Sequence, residues 1–355
     1  MISGIICEFN PFHAGHKHLI SQVKAARTDA VVCVMSGNFV QRGAFAVYDK
    51  RTRAQSALEG GADLVLELPT PYATLSAEGF ARAGVQLLEA TGVVEQLAFG
   101  AECADMQALT DLSGKIKARQ ADIAEVMKSG CSYPAARRQV IDSPLLDTPN
   151  NILALEYMDC TRLPCKCVRR LGLGHDTADP LYSASAIRST LPADEIYSMD
   201  HCQRSVLAVL RRMNTSEWAT IEDVTDGLEN RLFRAAQSAV CLDELYSAVK
   251  TKRYTHARIR RIVLRAYLGI HKNDFPASPP YLRVLGFNAA GRDLLAKMQK
   301  AATLPTVTRM ADVKALSSEE QALFQLESRC TDLYALGAKK PLPGGAEQRL
   351  QIVSI

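Results

Sequence analysis

Long apolar runs are missing from this 355-residue chain. No stretch approaches the ~20 residues that cross a bilayer, so no membrane association is expected. The first residues lack the basic start and small-residue cleavage site of a secretory signal, which points to the cytoplasm. Aromatic residues make up only 6% of the chain, and 42 Lys and Arg against 38 Asp and Glu leave a net charge of just +4. That balance excludes a uniformly polycationic nucleic-acid binder. Paired C-x2-C spacings are absent as well. Cys160, Cys165 and Cys167 form the tightest group, a C-x4-C-x-C spacing unlike a zinc knuckle, so the ten cysteines read as reduced thiols and no metal site is assigned.

What is present is an ordinary globular composition, 47% hydrophobic and 23% charged, in a chain long enough for two domains. Residues 3–9, 29–35, 63–68 and 96–100 are short runs of Val, Ile, Leu and Phe bounded by Gly, Asn or Pro, and read as buried strands. Between them, residues 18–27, 50–59 and 76–90 carry helical spacing, with Ala and Leu on one face and charged residues on the other. This alternation predicts an α/β fold with a Rossmann-like, doubly wound parallel sheet. After about residue 195 the patterns are helical, as in "RSVLAVLRRM" and "ARIRRIVLRAYLGI", and "KNDFPASPPYLRVLGFN", with three prolines, reads as a connection. The expected division is a catalytic domain over 1–195 and a mostly α-helical domain over 196–355.

The most informative stretch is "GIICEFNPFHAGHKHLI", where an apolar run breaks at Asn10-Pro11 and two histidines follow. In doubly wound sheets, ligands bind outside the carboxyl ends of the strands, where this break falls. Gly15 permits close backbone approach, and a helix beginning here would turn its amides and the positive end of its dipole toward an anion. His13 and His16, three residues apart, would share one side of the first turn and could both donate to one phosphoryl group. The plainer alternative is that they only cap the helix. In "SASAIR", Ser183 and Ser185 are good N-cap residues, and Arg188 one turn on could grip phosphate oxygens; an ordinary helix start is the alternative. Ser36, Gly37 and Asn38 follow the second strand, and Gln41 and Arg42 add donors for a carboxylate or phosphate.

His13-Ala14-Gly15-His16 resembles the HxGH signature of the nucleotidylyltransferase superfamily, and "SASAIR" resembles its second motif, S-S-T-x-I-R. Together with "EFNPFHAGH", "MSGNFVQRG", "GADLVLELP", "FGAE", "PNNILALEY", "KRYTHARIRRIV" and "YLRVLGFNAAGRDLL", these motifs resemble the bacterial tRNA(Met) cytidine acetate ligases as far as about residue 300. The resemblance implies that ATP and acetate give acetyl-adenylate and pyrophosphate. The acetyl group then passes to N4 of the wobble cytidine of elongator tRNA(Met). It implies a nucleotide-holding loop of Ile6, Cys7, Glu8, Phe9, Asn10, Pro11, Phe12, His13, Ala14, Gly15, His16, Lys17, His18 and Leu19, with Gly100, Asn151, Arg170, Ser183, Ser185 and Arg188 also contacting ATP. His13, His16, Ser36 and Arg188 are the expected catalytic residues. Mg2+ is expected to accompany ATP, although no carboxylate cage is visible. Two positions depart from the family pattern: "RLGLGHD" has no Tyr before His175, and Ala44-Phe45, not an acid, follow "QRG".

For tRNA, residues 245–273 hold eight Lys and Arg and no acid. On a helix starting near Thr255, Arg258, Arg261 and Arg265 would form a phosphate-binding stripe opposite Ile259, Ile262 and Val263. Arg162, Lys166, Arg169 and Arg170 make a second basic set, and Phe39, Phe45 and Tyr48 are candidates to stack on bases. A small-molecule adenylyl- or cytidylyltransferase would share the first motifs but not need this basic helix. An inactive tRNA-binding protein would not need an intact histidine pair.

Overall fold

The computed structural model describes residues 1–26, 28–170, 183–225, 227–349 and 351–355. Its frame is the expected one: β1 (Ile2–Cys7), α1 (Ala14–Ala25), β2 (Ala30–Ser36), a small hairpin of β3 (Phe39–Val40) and β4 (Ala44–Phe45), α2 (Lys50–Glu59), β5 (Leu64–Leu68), α3 (Thr70–Ala73), α4 (Ala77–Ala90) and β6 (Gln96–Ala101). A helical insertion follows, α5 (Met106–Ala118), α6 (Gln120–Met127), α7 (Tyr133–Val140) and α8 (Pro149–Cys160), and then β7 (Cys165–Arg169). The strands are apolar at successive positions because both sheet faces are covered. Ile5, Val31, Cys33 and Met35 pack with Ala54, Ala57 and Leu58 of α2 and Ile20 and Val23 of α1. Their neighbours Ile6, Val32 and Val34 belong to the other core, with Phe80 and Leu88 of α4 and Leu155 of α8.

The sheet order is β10-β8-β5-β2-β1-β6-β7. From β1 the chain runs outward through β2 to β5, then crosses back to place β6 on the other flank of β1, with every pairing in this stretch parallel. The strand order therefore reverses at β1, and a crevice opens at its carboxyl end between β2 and β6.

After α9 (Ala184–Thr190) the chain is helical, as expected: α10 (Gln203–Arg212), α11 (Thr215–Ala219), α12 (Leu228–Ser238), α13 (Leu242–Val249) and α14 (His256–Leu268). The reading of "YLRVLGFN" as part of a connection is corrected. Leu282–Phe287 is β8, an antiparallel neighbour of β5. It is followed by α15 (Ala289–Ala301), β9 (Thr306–Val307), α16 (Met310–Lys314), α17 (Ser318–Ala335) and β10 (Val353–Ser354), and both β9 and β10 pair with β8 in parallel. Four apolar positions in a six-residue strand left little periodicity, and the preceding prolines, Pro279 and Pro280, disguised its start. No helix among the described residues is long and apolar enough to cross a membrane.

Candidate active site

The break after β1 is built by named contacts. Asn10 accepts from the Val47 amide at 2.8 Å, and Pro11 and Phe9 are buried, with Phe9 meeting Phe12 edge-on. Arg53 of α2 is 1% exposed, although it belongs to a helix with charged residues on one face. Its guanidinium donates to four carbonyls: Glu8 at 2.6 Å, Ser36 at 3.1 Å, Tyr48 at 2.9 Å, and Gly37. One buried cation thus ties the carboxyl ends of β1 and β2 to the segment before α2, and an apolar residue there would remove all four bonds.

The histidines do cap α1, and the capping gives them their chemistry. His13 is the N-cap residue, with its Nδ1 accepting from the Gly15 amide at 3.1 Å, and the Nδ1 of His16 accepts from the His13 amide at 3.3 Å. The rings stack with centroids 3.7 Å apart. An Nδ1 that accepts a backbone N–H carries no proton, so each neutral ring holds its hydrogen on Nε2 and offers it as a donor. Burial, then the charges of Arg170 and Arg188, push the His13 imidazole down to about 4. Burial, His13 and Arg170 push His16 well below its ordinary value. Both rings are therefore neutral donors at physiological pH. Capping and phosphate binding, set out as alternatives, are compatible. The expected role of the helix amides is narrowed, since the Gly15 amide is already taken by His13.

Around the pair stand the other expected residues. Ser183 caps α9 by accepting from the Ala186 amide at 3.3 Å, Ser185 is exposed, and Arg188 reaches back to donate to the Asn10 carbonyl at 2.6 Å. The second motif is therefore fastened directly to the first. Gly100 sits near the end of β6; a Cβ there would come within 3.5 Å of the Arg170 side chain and 3.9 Å of Leu19. Arg170 is exposed just beyond β7, while Lys17 and Ala14 are exposed and His18 is half-buried on α1. Ile6 and Cys7 still belong to β1 and Ile6 faces the core, so they bound the crevice mainly by backbone. Asn151 is buried, and its Oδ1 accepts from the Cys103 amide at 2.9 Å, which holds the "FGAE" turn. Ser36 is wholly buried at the end of β2, and its hydroxyl has no hydrogen-bond partner among the described residues. His175 lies outside the described residues.

Sequence reasoning undervalued two features. Arg53 is one, and the other is the hairpin tip Gln41-Arg42-Gly43. The Gln41 amide donates to Glu8 Oε1 at 2.6 Å, drawing the tip onto the site. Gly43, at φ +75°, presses on the α14 backbone so closely that a Cβ would sit 2.4 Å from the Arg261 amide nitrogen. Phe39 and Phe45, considered for base stacking, are core residues packed against Tyr334; Tyr48 is half-buried. A shallow depression of about 370 Å3, lined by Gln22, Ala25, Lys166 and Arg169 among others, contains none of the histidines, and the chemistry lies outside it.

The arginine stripe of α14 needs the largest correction. Arg265 is 1% exposed, donates to the Pro71 and Thr74 carbonyls and lies over the Phe275 ring. Arg261 is buried and pairs with Asp223 at 3.0 Å, and Arg258 donates to the Asp223 carbonyl and Thr225. Arg258 and Arg261 therefore fasten the helix to the segment before α12, and Arg265 fastens it to α3 and the residue after it. Arg260, whose backbone meets the hairpin at Gly43, remains exposed, as do Lys252 and Arg253 in the segment before α14.

With this geometry in place, comparison with known proteins is decisive. The profile of the HIGH Nucleotidyl Transferase family matches residues 1–207 and 192–349. Proteins named tRNA(Met) cytidine acetate ligase are 32% identical in Acetivibrio thermocellus, over 96% of each chain, and 34% identical in Alkaliphilus metalliredigens, over 98% of this chain and 96% of that one. The chain belongs to the tRNA(Met) cytidine acetate ligase family. Two crystal structures of Thermotoga maritima TmcAL, 28% identical, superpose over the whole chain. The apo form gives a TM-score of 0.89 and covers 99% of that chain, and the form bound with alpha-thio ATP gives 0.87 and covers 100%. The fold expected from the HxGH resemblance is therefore the fold found.

Proposed function

We infer that this protein is an ATP-dependent ligase that activates acetate as acetyl-adenylate and acetylates N4 of the wobble cytidine of elongator tRNA(Met). The observation that carries the reading is the neutral, reciprocally capped His13–His16 pair at the reversal point of the sheet, in a chain whose full-length relatives bear that name. In the first step an acetate oxygen attacks the α-phosphorus, the bond to the β-phosphate bridge breaks, and pyrophosphate leaves. The Nε2–H groups of His13 and His16, with Arg188 and Arg170, meet the growing charge on the phosphoryl oxygens. Ser183 and Ser185 present the start of α9 to the nucleotide, and Gly100 and Asn151 shape its far wall. Mg2+ arrives as part of the MgATP substrate, supplying charge neutralisation; among the described residues no group of three His, Cys, Asp or Glu is placed to hold an ion. Residues 1–195 carry this chemistry and residues 196–355 carry the tRNA, in the cytoplasm.

The test is transfer of radiolabelled acetate into acid-precipitable tRNA with ATP present or omitted, followed by digestion to nucleosides. ATP-dependent label in N4-acetylcytidine is expected. A preparation that binds ATP yet leaves tRNA unlabelled would overturn the reading in favour of a small-molecule nucleotidyltransferase.

The corrected α14 face gives a second expectation. Lys252→Ala and Arg260→Ala should each weaken tRNA binding similarly for all sequences and lower the salt slope by about one. Arg258→Ala should instead lower the unfolding midpoint, because its partners are the Asp223 carbonyl and the Thr225 hydroxyl. An unchanged salt slope in the first two variants would remove α14 from the tRNA interface.

A further inference from the structure

Resting on that ligase reading, we propose that Glu8 is the general base of the acetyl-transfer step, accepting the proton that the cytidine N4 amine gives up. In that step the N4 lone pair forms a bond to the acetyl carbonyl carbon, the carbon–oxygen bond to the adenylate phosphate breaks, and AMP leaves with the electron pair. One N4 proton must go to a base, and from there to water.

Among the described residues, the site offers few groups able to take it. His13 and His16 have their Nδ1 lone pairs committed to backbone amides and carry hydrogen on Nε2, so they donate and do not accept. Arg42, Arg170 and Arg188 are cations. Both Glu102 oxygens are held, by Asn150 and by the Asn151 amide. Asp49 caps α2, and Glu67 belongs to a buried ion network. Glu8 differs from each of these. Its Oε1 accepts from the Gln41 amide at 2.6 Å, whereas Oε2 has no hydrogen bond among the described residues. It directly follows β1, five residues before His13, and lies close enough to Arg188 for that guanidinium to act on its carboxyl.

A second, independent feature marks the same spot. Cys7, the last residue of β1, pairs with Met35 in the parallel register, so Glu8 and Ser36 come next along the two neighbouring segments, and Arg53 donates to both of their carbonyls. Ser36 is fully buried with a hydroxyl that has no partner. A buried hydroxyl without a hydrogen bond is costly, and an entering polar group would relieve it. A carboxylate accepting from an amine, with a hydroxyl alongside, is a suitable donor–acceptor set for the cytosine N4 edge. Burial also raises the Glu8 carboxyl above its ordinary 4.5, against the Gln41 amide and the charges of Arg42, Arg53 and Arg188, which makes it a better proton acceptor than an exposed glutamate.

The experiment is single-turnover acetyl transfer to tRNA, followed across pH in the wild type, Glu8→Gln and Glu8→Asp. A base must be deprotonated to act, so the wild-type rate should rise with pH through a midpoint above 4.5. Glu8→Gln should be slower by about a hundredfold or more and lose that limb. Glu8→Asp, with its carboxylate drawn back by one methylene, should be slowed less and keep the limb, which also covers the case of Glu8→Gln failing to fold. A Gln variant within threefold of wild type, or a limb that disappears in the Asp variant, would overturn the assignment while leaving the ligase reading intact. If the wild type itself acetylates no tRNA, both fall together.

Discussion

His16→Ala should lower kcat/KM for acetyl transfer by about a hundred- to a thousandfold while leaving the fold in place, because it removes one preorganised donor from the phosphoryl oxygens. The structural cost is one cap contact on α1, about 1 kcal/mol, together with the ring's packing on Phe9, Phe12 and His13 at the rim of the site, and the core that α1 shares with α2 is untouched. His13→Ala should behave alike, and the double variant should lose less than the product of the single losses, since the stacked pair acts as one unit. pH supplies a check that a purely structural role would not meet. With the His13 pKa depressed from 6.5 to about 4, the folded protein keeps the neutral ring where the unfolded chain would protonate. Its stabilising contribution is thus complete above 6.5 and is lost as pH falls toward 4. ATP affinity should accordingly stay level between about pH 8 and 5. Turnover near wild type in His16→Ala, or a binding transition at 6.5 in the wild type, would remove the pair from the phosphate site.

The strands flanking this site were legible because each is a short apolar run with its own boundary signals, and the HxGH string falls where the first run ends. The sequence also conveyed the two rival roles of the histidines, but not that one hydrogen-bond pattern satisfies both. What stayed hidden shares one cause: a polar residue's partner lies far along the chain. Arg53 gives no local sign of burial because its four carbonyls come from three separate segments. Arg261 looked like a phosphate ligand because Asp223, which neutralises it, lies 38 residues earlier on another element. β8 was missed because its partner β5 lies more than two hundred residues upstream, and no local alternation announces such a pairing. Periodicity reports which face of an element is apolar. It does not report which polar residues on the other face will meet a partner.

The largest such group gives the second strong expectation. Lys50, at the start of α2, pairs with Glu67 at 2.6 Å and with Glu347, while Arg283 of β8 bridges the same two carboxylates from the other side, at 3.0 Å to Glu67. All four side chains are at most 7% exposed. Thr331 adds a donor to Glu347 at 2.6 Å, and Glu327 nearby accepts from Thr70. Burial, with the Glu67 charge, pushes the Glu327 carboxyl up to about 8, so it stays protonated at neutral pH and two cations face two carboxylates. Glu67 also closes against Gly37, where a Cβ would stand 2.5 Å from its Oε1, so the network directly supports the loop after β2. Arg283→Met removes one cation and leaves an uncompensated buried carboxylate, and should cost about 3–5 kcal/mol in denaturant unfolding. Glu327→Gln should do the opposite as pH rises through neutrality. A carboxyl raised from 4.5 to about 8 contributes stability that is complete below 4.5 and lost as pH rises through 8, a loss that the amide does not suffer. The variant should therefore gain on the wild type as pH rises from about 4.5 to 8, and the gain should level off above that. If Arg283→Met unfolds with the wild-type midpoint, the C-terminal segment bearing Glu347 is not held by these charges, and the support they give the Ser36–Asn38 loop must come from packing alone.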